Sequence, residues 1–191
     1  GNAPTNQRDQ GGLRYALYSE DGSPLELDVT TGTIAWYRNR ADARYKFLTA
    51  DEKILTEGRL PLDGKVHRLT AEVPGPGLYY FDFNDTRAGW RIQADRGVAC
   101  TILLRRDRGF RHAGHMQTMY FYVPKGTETL YYYWKGGPHD LYTPAGKKLR
   151  RVKTSGRFVQ VDIPDGMDGK VWYFRRLALG HLYFFNAPNC L

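Results

Sequence analysis

The chain has 191 residues, 41% of them hydrophobic and 25% charged, a makeup that excludes a disordered polymer and suits either one large β domain or two of about 90 residues. No stretch approaches the roughly 18 apolar residues of a membrane-spanning helix, and no basic segment leads into an apolar run as in a signal peptide. The net charge of +8 is uneven: residues 1–108 hold 16 Lys/Arg against 15 Asp/Glu, while residues 109–191 hold 12 against 5. A basic second half would suit an anionic partner.

The chain opens on Gly1 and a polar stretch to Gln10 without an initiator Met, as expected of a processed protein or a fragment cut from something longer, from which any export signal would already be gone. Aromatic residues reach 14%, led by 14 Tyr, and 21 Gly with 10 Pro supply frequent turns, so short strands are expected throughout. No window shows a helical period. Tyr15–Val29 (YALYSEDGSPLELDV) can be laid on Tyr120–Trp134 (YFYVPKGTETLYYYW), pairing Tyr15 with Tyr120, Leu25 with Leu130 and Val29 with Trp134. Phe47–Leu55 (FLTADEKIL) lies on Leu141–Leu149 (LYTPAGKKL), which pairs Thr49 with Thr143 and Lys53 with Lys147. Glu72-Val73-Pro74 matches Asp162-Ile163-Pro164, each leading through Gly into an aromatic run, LYYFDF or VWYF. The common order of these matches predicts an all-β protein of two tandem antiparallel β-sandwich repeats, jelly-roll or immunoglobulin-like. The first repeat spans 11–105, a basic linker 106–117, and the second repeat 118–191.

Between the matched blocks the first repeat has 17 residues, Thr30–Lys46, where the second has six, Lys135–Asp140. This insertion, expected as an added hairpin, carries Trp36, Tyr37, Arg38, Arg40 and Arg44. An aromatic surface beside guanidinium forks suits a sugar ring stacked on its apolar face, with Arg gripping hydroxyl or acid groups. Trp36 as a core residue of that hairpin is the competing expectation. Trp90 follows the turn formers Ala88-Gly89 and is expected to be exposed, with Arg91 beside it. The candidate carbohydrate-binding set is therefore Trp36, Tyr37, Arg38, Arg40, Trp90 and Arg91. Trp134 and Trp172 fall in recurrent apolar positions and are expected in the core.

In the second repeat the expected strands are Thr118–Val123, Thr129–Trp134, Asp140–Thr143, Lys147–Val152, Arg157–Ile163, Lys170–Arg175 and His181–Asn186, with Gly/Pro turns between them. The run Lys147, Lys148, Arg150, Arg151 and Lys153 is basic on both faces, which suits an edge strand and equally a docking ridge for anions. His112 and His115 in the linker lack a surrounding cluster and are expected to be exposed. Cys100 and Cys190, 90 residues apart, could be bonded to each other or remain buried thiols. Asn84-Asp85-Thr86 fits a glycosylation sequon.

Tyr120–Thr127 (YFYVPKGT), then Leu130–Gly137, Asp140-Leu141-Tyr142 and Gly169–Phe174 (GKVWYF) resemble the bacterial pre-peptidase C-terminal domain. The resemblance covers residues 118–186, and the first repeat through its likeness to the second. It implies a jelly-roll-like sandwich attached to a secreted hydrolase as an accessory or substrate-binding module, hence a secreted or cell-surface location and a covalently linked catalytic domain. Where that family often carries an acidic pair linked to calcium, this chain has His139-Asp140 and Tyr45-Lys46, so no metal is expected.

For chemistry, the three Ser sit in no nucleophile elbow, and no phosphate loop, dinucleotide fingerprint or His-Glu-x-x-His occurs. No catalytic residue, cofactor or metal is expected. The leading expectation is a non-catalytic carbohydrate-binding module whose ligand is a polysaccharide, an acidic one by the basic second half. The alternative is a protein-interaction or structural appendage of a larger secreted hydrolase. Nucleic-acid binding is a third and weaker reading, since the first half is near neutral and no known motif is present.

Overall fold

A computed structural model describes residues 12–85, 87–105, 118–153, 156–177 and 180–191. The expected linker 106–117, with His112 and His115, lies outside the described residues, as does Thr86 of the sequon. The chain divides into two compact units, Gly1–Leu103 and Leu104–Leu191. Both are built from antiparallel strands, and among the described residues the one helical element is a single 3-10 turn, Ala35–Tyr37.

The first unit contains β1 (Gly12–Ser19), β2 (Leu25–Thr30), β3 (Ala43–Thr49), β4 (Ile54–Leu60), β5 (Val66–Ala71), β6 (Gly77–Asn84), β7 (Arg91–Ala94) and β8 (Val98–Leu103). They form a five-stranded sheet, β4-β3-β6-β1-β8, and a three-stranded sheet, β5-β2-β7. The second unit contains β9 (Thr118–Val123), β10 (Thr129–Gly136), β11 (His139–Tyr142), β12 (Lys148–Val152), β13 (Arg157–Asp162), β14 (Lys170–Arg175) and β15 (Gly180–Phe184). Its sheets are β12-β11-β14-β9 and β13-β10-β15. Apart from β8, the strand order of the two units is the same. In each, the pairs nest inside one another (β1 with β6, β2 with β5, β3 with β4), the rolled-hairpin pattern of a jelly roll.

Local details coincide as well. The β3–β4 ladder shifts register between Phe47 and Leu48, and the β11–β12 ladder shifts between Leu141 and Tyr142. The turns that follow are alike: Thr49 N–H donates to Lys53 O at 2.9 Å, and Thr143 N–H donates to Lys147 O at 2.9 Å. One part of the sequence alignment requires correction. Tyr15 faces Phe81 and Met119 faces Phe174, so Tyr15 corresponds to Met119, and Tyr120 corresponds to Ala16. The reason is the pleat: Tyr15 points into the core and Tyr120 away from it, so matching these two tyrosines slips the strand by one residue.

Alternating side chains seal each core between its two sheets. In the first unit Phe83 of β6 packs on Trp90 with centroids 4.9 Å apart, and Trp90 Nε1–H donates to the Tyr15 hydroxyl at 3.2 Å. In the second, Phe121 of β9 stacks on Phe184 of β15 at 4.8 Å, and Phe174 of β14 meets Tyr132 of β10 at 5.6 Å. Trp134 and Trp172 are fully buried, as expected.

Trp90 is fully buried too, against the expectation that it is exposed. It stands two residues before the inward-facing Ile92, so the pleat turns it into the core, and the Ala88-Gly89 turn ends just before it. Its counterpart two residues before Leu182 is Gly180, where an added Cβ would lie 2.7 Å from the Trp134 ring and 2.6 Å from Lys135 O. Trp134 in turn occupies the β10 position that Val29 holds on β2. The corresponding place in the core is thus filled by an indole from β10 in one unit and from the β7 side in the other.

Two variants test this exchange in urea unfolding. Trp90→Ala is expected to destabilise the first unit by about 3–5 kcal/mol through the cavity it leaves. Gly180→Ala is expected to cost the second about 1–3 kcal/mol by overpacking against Trp134.

Candidate functional site

The insertion between β2 and β3 is not a hairpin. It is a loop fastened to the sandwich at several points, with its aromatic turn held outward. Thr31 is buried and its hydroxyl donates to Pro61 O at 2.6 Å. Gly32 adopts φ +59°, and a Cβ there would fall 2.6 Å from Leu62 O, so only glycine fits. Thr33 and Ile34 donate their amides to Gly89 O and Ala88 O at 3.1 and 2.8 Å. Arg38 Nε reaches back to Gly32 O at 2.7 Å. Between these anchors the 3-10 turn lifts Trp36, which is 76% exposed, the most of any aromatic ring in the first unit.

Tyr37 sits edge-on to Trp36, with centroids 6.2 Å apart and planes at 65°. Arg40 lies over the Tyr37 ring at 4.4 Å. Arg91 begins β7 opposite Thr30, the last residue before the loop, and its Nε is buried without a hydrogen-bond partner. Trp36, Tyr37, Arg38 and Arg40 therefore belong to one loop, Arg91 stands at its root, and Trp90 lies in the core below. Arg44 sits apart on β3, opposite Arg59 of β4. Trp36 as a core residue, the competing expectation, is overturned by its exposure.

The second unit presents aromatic residues that the sequence reading did not single out. On the outer face of β13-β10-β15, Phe158, Tyr133 and Tyr183 stand opposite one another on three strands. Phe158 is 77% exposed and touches both Tyr133 and Phe185, at centroid distances of 5.5 and 5.6 Å. The corresponding face of the first unit is ionic. Arg68, at the position of Phe158, pairs with Glu26, Asp28 and Asp95 at 3.2, 2.9 and 3.1 Å. The run LYYYW of β10 carried the signal, since its alternate tyrosines must face outward once Leu130, Tyr132 and Trp134 face in.

His139 and Asp140 do not form a cation site. The His139 ring is buried and bonds the Tyr132 hydroxyl at 2.8 Å, and burial pushes its pKa down to about 4. Asp140 is buried and meets Lys148 Nζ at 2.8 Å, which holds its carboxyl below the usual carboxylate range. Among the described residues no three His, Cys, Asp or Glu gather as metal ligands. The exposed acids of the turns are likewise engaged: Asp21 accepts the Ser23 amide at 2.9 Å, and Asp51 meets Lys53 at 2.9 Å. Cys100 and Cys190 are not joined in a disulfide, and burial pushes the Cys190 thiol pKa up. The basic run Lys148–Val152 forms the edge strand of its sheet, as its composition implied.

No family model matches the chain, and neither curated proteins nor solved structures include a significant match to it.

The buried imidazole sets a pH dependence. His139 is neutral when folded and takes up a proton in the unfolded chain near its ordinary pKa of 6.5, so stability is full above that value and falls as pH drops from 6.5 toward 4. The expected loss is about 3 kcal/mol over that window. Urea unfolding of the wild type and His139→Gln between pH 7.5 and 4 checks it, and the variant should show a flatter profile.

Proposed function

We propose that the chain is a non-catalytic module of a secreted or cell-surface protein, built as two copies of one β-sandwich, and that it binds polysaccharide. The observation that carries this reading is Trp36, an indole left three-quarters exposed on a loop whose backbone is tied to the sandwich just before it and whose Arg38 side chain reaches back to Gly32 O just after it. An exposed indole offers a flat apolar face, and fastening the loop lowers the ordering cost that a ligand would otherwise meet. The pyranose ring has an apolar face that stacks on an indole, while Arg38, Arg40 and Arg91 supply donors around it. The likeness of residues 118–186 to the pre-peptidase C-terminal domain agrees with an accessory module joined to a catalytic domain.

A second reading is favoured by the Phe158 face. Phenylalanine offers no hydrogen bond to a sugar, and a flat cluster of Phe158, Phe185, Tyr133 and Tyr183 suits a docking surface for an adjoining protein domain. The two readings use different faces of different units.

Fluorescence separates them, because Trp90, Trp134 and Trp172 are fully buried and Trp36 is the one indole that a ligand can reach directly. Binding of glycan should shift and protect the Trp36 emission from acrylamide. Trp36→Ala should abolish retardation in glycan-containing gels while changing stability by no more than about 0.5 kcal/mol. Absence of any retardation across neutral and acidic glycans, with unchanged emission, would sink the carbohydrate reading.

A further inference from the structure

The outer face of β12-β11-β14-β9 carries a second arrangement. Tyr142, Tyr173 and Tyr120 stand directly opposite one another on three successive strands. The rings of Tyr142 and Tyr173 are within 7° of parallel, 4.9 Å apart, and Tyr120 tilts against Tyr173 at 5.7 Å. In the next row Arg175 stands opposite Asp140, and its guanidinium lies over Tyr142 at 5.0 Å and Tyr173 at 5.6 Å. Asp140 is met by Lys148 at 2.8 Å, Arg151 at 3.9 Å and Arg176 at 4.0 Å. Arg176 takes the left-handed φ of +62°, a conformation that costs energy and is compatible with this approach to Asp140.

Three cations therefore crowd one carboxylate, with Arg175 on the tyrosines beside them, and among the described residues no second acid pairs with them. The equivalent rows of the first unit are different. Leu48 and Ala16 replace two of the three tyrosines while Tyr80 keeps the third, and the charges there pair off, Arg14 with Asp82 and Glu52, and Lys46 with Glu57. The excess positive charge thus belongs to the second unit and not to the fold.

We propose that this face binds the carboxylates of a uronate-bearing polysaccharide. The inference rests on the reading that the chain binds polysaccharide, and it adds a separate site and the chemical class of its ligand. A guanidinium fork matches a carboxylate with two parallel hydrogen bonds. Arg175, laid on two stacked rings, is already ordered and keeps its edge for such a partner. Lys148 and Arg151 come from β12, and Arg175 and Arg176 from the end of β14, on either side of β11, so acid groups carried one per sugar can be met on both sides of Asp140. Asp140 in the middle tolerates such spaced single charges but opposes a densely sulfated chain or a nucleic acid.

Affinity electrophoresis and calorimetry on the full chain at low salt test this, with polygalacturonate, its methyl ester, a neutral galactan, heparin and single-stranded DNA as probes. Polygalacturonate should be held more tightly than its ester. Arg175→Gln should weaken that binding about tenfold, as expected for one lost charge-assisted pair, with an unchanged circular dichroism spectrum. Arg175→Lys, which keeps charge but not the fork, should recover only part of the affinity. Equal binding of acid and ester, no effect of Arg175→Gln, or tighter retention by heparin or DNA would each overturn the proposal. Neutral-glycan binding through Trp36 with no preference for the acid removes this inference alone. Arg175-dependent, acid-selective binding with no neutral-glycan binding removes the Trp36 reading alone.

Discussion

The two-residue period of the pleat is the constraint on which everything else rests. Each strand gives every second side chain to the sealed space between two sheets, and those positions must be apolar and fitted to their neighbours. Leu25, Leu27 and Val29 satisfy this in β2, and Leu130, Tyr132 and Trp134 satisfy it in β10. Nesting of the strand pairs then carries the same inward set around the roll in both units. The outward positions are left free, and there the units have parted company.

That freedom has been used twice in the second unit. Where the first unit neutralises its outer faces through Arg68 and Arg14, each shared among acids, the second lays aromatic rings on one face, and rings with surplus cations on the other. Surface ion pairs contribute little stability, so exchanging them for other residues leaves the fold intact. The same scaffold can therefore carry chemically distinct surfaces. In the first unit the departure is confined to one loop, where Gly32 and Arg38 hold the Trp36 turn.

Much of the architecture was legible because turns are chemically marked. In the second unit Gly and Pro flank nearly every strand, and the expected spans Thr118–Val123 and Lys170–Arg175 coincide with β9 and β14. What the sequence could not supply was register. Matching Tyr15 to Tyr120 follows residue identity, yet one residue of slip reverses which side chains reach the core. The Tyr142–Tyr173–Tyr120 row and the cations around Asp140 join the β11–β12 hairpin to β9 and β14, which lie far from it in sequence, so no local spacing announces them. Trp90 was misread for a related reason: the Ala88-Gly89 turn is visible in the sequence, but the face that its neighbour takes is decided by the strand that follows. Trp36 was the opposite case, an exposed ring legible as an insertion, though the backbone that holds it is a pinned loop where a hairpin was expected.

The exchange of indoles between Trp90 and Trp134 also bears on how two like modules in one polypeptide avoid tangling while they form. A sandwich that borrowed its neighbour's strand would pair β2 with β15 and contain neither indole, leaving a void. The reciprocal hybrid, β10 with β7, would force two indoles into room for one. Both chimeras are poorer than either proper partner, so the mismatch disfavours strand exchange between the two alike units.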